Sequence, residues 1–222
     1  MRGGRDPRDL EPERPRDRVR EELGAQAGDV LALGLGRLAP EKGWEALLEA
    51  AAAALGEAPA LLFAIAGEGS SRARLEARAR WLGIAGRVRF LGYRRDVGEL
   101  LGAADLFALL PEEEALGLGF VEAALAGLPA VATEVGGIPE VVRPETGILV
   151  PARDTARAAR ALAALARDPA LRRRLGEAAR ERALRLFTLE RMVRELDAVY
   201  EAALREGGGR RAGSGWRSAS SK

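Results

Sequence analysis

The stretch VLALGLGRLAPEKGWEALLEAAAAALGEAPALLFAIAG, residues 30–67, decides the fold. It opens on a short, nearly continuous apolar run, VLALGLG (30–36), and passes through a loop carrying glycines, Arg37 and Lys42. A stretch with helical period follows over 43–55, and the segment closes on a second apolar run, LLFAIAG (61–67). Strands that are apolar throughout, rather than alternating, belong to a sheet buried on both faces. Such strands run parallel, and each return needs a crossover long enough to be a helix. Residues 30–67 therefore read as one strand–helix–strand unit.

The same grammar repeats downstream. Further apolar runs are VRFLG (88–92), DLFALL (105–110), PAVAT (129–133) and GILVP (147–151), each bounded by Gly, Pro or charge. Helical stretches are expected at 71–82, 95–103, 118–127 and, briefly, near 137–142. This is the pattern of a doubly wound α/β domain with about six parallel strands. After Pro151 the sequence turns helical throughout, at 152–168, 169–187 and 188–206. The last stretch gathers Leu189, Met192, Val193, Leu196, Val199 and Tyr200 on one face, a stripe expected to be buried. Residues 1–17, rich in Pro, Arg and Asp, read as a linker or arm, with a short amphipathic helix around Val19–Leu23 leading into the domain. The domain is expected over 18–206, and the Gly/Ser-rich 207–222 as a flexible tail.

Composition narrows the chemistry. The 222 residues include neither cysteine nor histidine. That removes disulfides, thiolate catalysis, and the commonest general base and metal ligand together. Chemistry here has to run on carboxylates, arginine, lysine, hydroxyls and backbone amides. A formal net charge of +2 with 5% aromatic residues, and arginines spread along amphipathic helices, does not form the basic face of a nucleic-acid binder. No run approaches a membrane span, and MRGGRDPRDLEPERPRDRVR has no apolar signal core, so the chain is expected to be cytoplasmic.

Two places carry candidate site chemistry. The first is the loop GLGRLAPEKGW (34–44), at the carboxyl end of the first strand, where open α/β sheets bind ligands. Gly34 and Gly36 permit close backbone approach, and Arg37 and Lys42 together could neutralise a diphosphate. The spacing is neither G-x-G-x-x-G nor a Walker loop, and ordinary surface cations remain the alternative. Lys42 and Lys222 are, however, the only lysines in a chain that otherwise uses arginine. The second place is LPEEEALGLGFVEAALAGLPAVAT (110–133), with Glu114 in a loop, Gly117 and Gly119 after it, and Glu122 near the start of a helix. Two carboxylates facing one cleft suit pairs of sugar hydroxyls, and the exposed amides of the helix start suit a phosphate. The alternative is a solvated acidic run, 112–114, followed by an acid near a helix N-terminus.

GLGRLAPEKGW, IAGEGSSRARLEARARWLGIAGRVRFLGYRRDVGELLGAADLFALLP, the E-x7-E stretch EALGLGFVE and VATEVGGIPEVV occur in this order. Together they resemble the C-terminal domain of the retaining GT-B glycosyltransferases of group 1 (family 4 type), over about Arg18 to Arg205. The resemblance implies a single Rossmann-like domain with a helical C-terminal extension, one half of a GT-B fold. It implies that Arg37 and Lys42 bind the diphosphate of a nucleotide sugar, that Glu114 contacts the donor sugar, and that Glu122 holds the ribose hydroxyls. Gly36, Gly67, Gly69, Gly117 and Leu118 would line the donor cleft, and Gly92, Tyr93 and Arg94 would lie near the base. GGIPE (136–140) would pack as a turn behind the cleft.

The function so implied is transfer of a hexosyl group from a nucleotide diphosphate sugar with retention, with the nucleotide sugar as donor substrate and no metal or other cofactor expected. Ala115 and Leu116 depart from the Gly and Phe usual in the family. Gly4-Arg5-Asp6 resembles the Gly-x-Asp of the family's interdomain linker, and the acceptor half that precedes it in the family is expected to lie outside this sequence. Three further readings stay open. They are the donor half of a bipartite enzyme with a partner chain or self-association through the last helix, a non-catalytic nucleotide-sugar-binding module, and an epimerase on the same plan. A fragment of a longer enzyme is a further possibility.

Overall fold

A computed structural model describes residues 3–208. The six expected strands form one parallel sheet: β1 Val30–Leu35, β2 Leu61–Ala66, β3 Val88–Gly92, β4 Leu106–Leu109, β5 Ala130–Thr133 and β6 Gly147–Val150. Their order across the sheet is β3-β2-β1-β4-β5-β6. β1, β2, β4 and β5 are buried almost throughout, as two covered faces require. The chain first winds outward from β1 to β3, then returns and winds outward from β4 to β6. The reversal between β1 and β4 opens a crevice at the carboxyl ends of those strands, the usual ligand position in such sheets.

The helices are α1 Arg16–Glu22, α2 Trp44–Glu57, α3 Arg72–Trp81, α4 Val97–Ala103, α5 Leu118–Leu125, α6 Ile138–Val141, α7 Thr155–Arg167, α8 Pro169–Leu186 and α9 Leu189–Gly208. Right-handed crossovers place α2 and α3 on one face and α4, α5 and α6 on the other. The terminal helices complete both layers, since α7 packs on α2 and over β5 and β6, and α8 packs on α5. Asp154 and Asp168 start these two helices by accepting from the amides of Arg157 (2.9 Å) and Leu171 (2.8 Å), and Pro169 takes the first helical position.

Two expectations are refined. Residues 3–17, expected as a linker or arm, are docked on the domain. The amides of Glu13 and Arg14 donate to the Glu99 carboxylate on α4, at 2.9 and 3.1 Å, and Leu10 packs against the core. At the arm's start, the Arg5 amide donates to the Phe187 carbonyl and the Leu189 amide to the Arg5 carbonyl, each at 2.9 Å. The apolar stripe of α9 is not fully buried. Leu189 and Val193 are exposed by 38% and 44%, and Val199 and Tyr200 by about 60%. Met192 and Leu196 are half-buried, so the described chain covers that face only in part. Of the tail expected over 207–222, residues 209–222 lie outside the described residues. Among the described residues no helix is long and apolar enough to cross a membrane.

Candidate functional site

The loop after β1 is fixed from beneath. Trp44, first residue of α2, is 1% exposed, and its indole N–H donates to the Arg37 carbonyl at 2.8 Å. Its ring occupies the space a side chain at Gly34 would need. The loop is also tied sideways, by the Leu38 amide to the Glu68 carbonyl (2.8 Å) and by the Glu112 amide to the Glu41 carbonyl (3.0 Å). Loops after β1, β2 and β4 thus form one rim along the carboxyl edge of the sheet.

The loop before α5 is held by different means. Gly117 enters the helix with φ +79°, and Phe120 in the first turn packs edge-on against Phe107 of β4, with ring centroids 5.1 Å apart. No side chain among the described residues caps the start of α5. The Leu118 and Gly119 amides therefore stand open to the rim, with the positive end of the helix dipole behind them. Behind the loop sits the Gly136–Gly137 turn, whose Gly137 amide donates to the Glu114 carbonyl at 3.1 Å. The GGIPE segment thus packs behind the cleft.

Two cavities line the rim. One, of about 600 Å³, is bounded by Gly36, Arg37, Lys42, Glu114, Leu116 and the start of α5. The other, of about 370 Å³, is bounded by Gly36, Arg37, Gly67, Glu68, Tyr93, Arg94 and Glu122. They share Leu35, Gly36 and Arg37, and so form one elongated cleft. In the first, the Lys42 ammonium and the Glu114 carboxylate lie 2.6 Å apart, both largely shielded from solvent. In the second, Glu122 is largely buried and Tyr93 is 67% exposed, an open aromatic face beside a shielded carboxylate. Burial pushes the Glu122 carboxyl above its ordinary value, opposed by the nearby Arg5 guanidinium.

Not every expected residue reaches the cleft. Gly69 and Gly92 line neither cavity. Gly69 packs against the Leu38 backbone, and Gly92, at φ +70°, turns the chain after β3 and accepts from the Gly67 amide at 2.8 Å. Arg94 lines the second cavity, but its guanidinium is already engaged by Asp96 (2.6 Å) and Glu22 (2.8 Å), which raise its pKa. Arg37 is likewise paired, with Glu41, on a side chain 69% exposed. Glu68 lies between Gly67 and Gly69, where the cleft is expected, whereas no motif singles out Leu109 or Phe120 as cleft walls, because their positions depend on neighbouring elements. Nor did the sequence signal Arg5, whose Nε lies 2.7 Å from Glu122. Its only sequence cue is its place in Gly4-Arg5-Asp6.

The profile of the family described as glycosyl transferases group 1 matches residues 15–182. N-acetyl-alpha-D-glucosaminyl L-malate synthase of Bacillus anthracis is 33% identical over 189 residues, 85% of this chain and 49% of that protein. A D-inositol 3-phosphate glycosyltransferase of Nocardia farcinica is 38% identical over 219 residues, 93% of this chain and 48% of that protein. Among solved structures, Anabaena Alr3699/HepE in complex with UDP and glucose superposes with a TM-score of 0.82 at 26% identity. It matches 89% of this chain and 55% of its own. The chain spans about half the length of the curated relatives it matches. With its six-stranded sheet, its cleft at the strand reversal and its matched residues all in agreement, the chain belongs to the glycosyl transferases group 1 family.

Proposed function

We propose that this chain is the donor-binding half of a GT-B glycosyltransferase that transfers a hexosyl group from a nucleotide diphosphate sugar with retention. The observation that carries the reading is the single cleft made of two unlike halves. One half offers Lys42, Glu114 and the open amides of Leu118 and Gly119. The other offers Glu122 and the exposed ring of Tyr93. A nucleotide sugar has the complementary order: sugar, diphosphate, ribose, base. The UDP and glucose held by the Anabaena structure are the two parts of such a donor.

In this reading Lys42 and Arg37 meet the diphosphate, and α5 aims its N-terminus at the same charge. As the glycosidic bond breaks, charge grows on the departing diphosphate, and donors already in place stabilise it without reorganising. For Lys42 to turn to phosphate, its pairing with Glu114 relaxes, freeing that carboxylate to accept from sugar hydroxyls. Glu122 accepts from the ribose, and Tyr93 lies beside the base. We assign the diphosphate charge to these groups, with no role for a metal. Acceptor contacts come from a second half, and the half-exposed stripe of α9 favours a partner surface beside this domain.

Thermal unfolding in EDTA with UDP-, GDP- and ADP-sugars tests the reading. A ligand at one hundred times its dissociation constant adds about 2.7 kcal/mol, or roughly 5–10 °C for a domain of this size. One nucleotide sugar is expected to raise the midpoint of the native chain, and Lys42→Ala and Glu122→Gln to abolish the rise. No rise at millimolar concentration with any donor would sink the proposal.

A further inference from the structure

We propose that Arg5 is a positioning residue of the donor site, holding Glu122 ionised and turned so that one carboxylate oxygen faces the ribose hydroxyls. The inference rests on the donor-binding reading and adds to it a residue outside the E-x7-E loop.

The geometry is specific at both ends. On the arm, Arg5 is fixed through its backbone: its amide and carbonyl are both bonded across the α8–α9 junction, to Phe187 and Leu189 at 2.9 Å. Gly4 beside it lies so close to the Thr188 carbonyl that no side chain fits there. Asp6 then turns the chain away, accepting from the Arg8 amide at 2.9 Å. From this fixed backbone the Arg5 side chain, 44% exposed, extends to the Glu122 carboxylate. There its Nε lies 2.7 Å from Oε1 of Glu122 as an ion pair, while Oε2 has no partner among the described residues. One oxygen is committed and the other is left for a ligand.

Nothing else around Glu122 does this work. The charged and titratable groups facing it are Arg37 from the loop after β1, Glu68 from that after β2, and Tyr93 and Arg94 from that after β3. Arg37 is paired with Glu41, and Arg94 with Asp96 and Glu22. Glu68 shares the sign of Glu122. Without Arg5, a largely buried carboxylate would face a cleft with no bonded cation, and burial alone favours its neutral form. A neutral carboxyl gives up the charge-assisted acceptor that hydroxyl pairs need.

The test is a double-mutant cycle in binding, read by titration calorimetry on the full chain with UDP, GDP and ADP. The variants are Arg5→Gln, Arg5→Lys, Glu122→Gln and the double variant Arg5→Gln/Glu122→Gln. Arg5→Gln is expected to weaken the bound nucleotide about tenfold at pH 7, the size of one lost bond to a charged group. The loss should deepen toward pH 5.5, shrink toward pH 8, and be largely restored by Arg5→Lys. In the Glu122→Gln background the Arg5 change should add nothing, because its effect runs through that carboxylate. Equal losses in both backgrounds, or a loss independent of pH, would mean that Arg5 serves only to dock the arm. Native affinity retained by Arg5→Gln also overturns the proposal, while leaving the donor-binding reading intact. If the native chain binds none of the three nucleotides, that reading falls and this assignment with it.

Discussion

At Gly136 the backbone has φ +51°, and a Cβ there would overlap the carbonyl oxygen of Glu114. Alanine at this position therefore meets two costs, a left-handed backbone and a displaced loop, and the loop is the one that carries the Lys42–Glu114 pair. Gly136→Ala is expected to lose about 1–3 kcal/mol of stability, the usual size of such strain, seen as a lower denaturation midpoint. Donor affinity should fall with it. A variant as stable and as tight-binding as the native chain would show that the turn does not set the loop. At this scale the sequence was legible where a motif has fixed local spacing: Gly117, Leu118 and Glu122 all fall within one loop and helix. It was not legible where contacts join distant segments. Arg5 meets Glu122 from more than half the chain away in sequence, and Arg94, expected near the base, is tied to Asp96 and Glu22 by pairings that no spacing reveals.

Elements were easier to read than residues. Strands buried on both faces announce themselves as apolar runs, and each of the six lies within the run that marked it, with ends moved by at most a residue. Helix ends moved by up to three residues, because caps such as Asp154 decide them. The docking of the arm was not legible for a definite reason: it docks by backbone amides on Glu99 and by β-like pairing with the α8–α9 junction, neither of which leaves a hydrophobic period.

The arm is also joined to α1 and the β3–α4 loop through Arg14, Glu22, Arg94 and Asp96. Asp96 is held below its ordinary pKa first by its hydrogen bond with Arg94, and Glu22 first by that with Arg14. A carboxylate with a depressed folded pKa contributes stability above its unfolded value, near 4, and loses it as pH falls through the folded value. Asp96→Asn should accordingly lower the melting temperature by about 1–3 °C at pH 7, since half-exposed pairs are worth little. The two proteins should converge below pH 3. A difference that persisted or grew in acid would place the network's role elsewhere.

On the scale of the whole molecule, the sheet order put the cleft where it is. Winding outward twice from the centre leaves the loops after β1 and β4 without a helix between them, and the group 1 motifs occupy those loops. Family membership, half-length coverage of the relatives and the half-exposed face of α9 all accord with the proposal of a donor-binding domain beside a second half. The account stands or falls on where a nucleotide diphosphate sugar sits. Hydrogen–deuterium exchange of the native chain, with and without the donor that stabilises it, reports this directly. Protection is predicted at Gly36–Lys42, at Gly67–Glu68 and across Glu114–Glu122, with α9 unchanged. Protection confined to other segments, or none at saturating donor, would contradict the assignment of the cleft as the donor site.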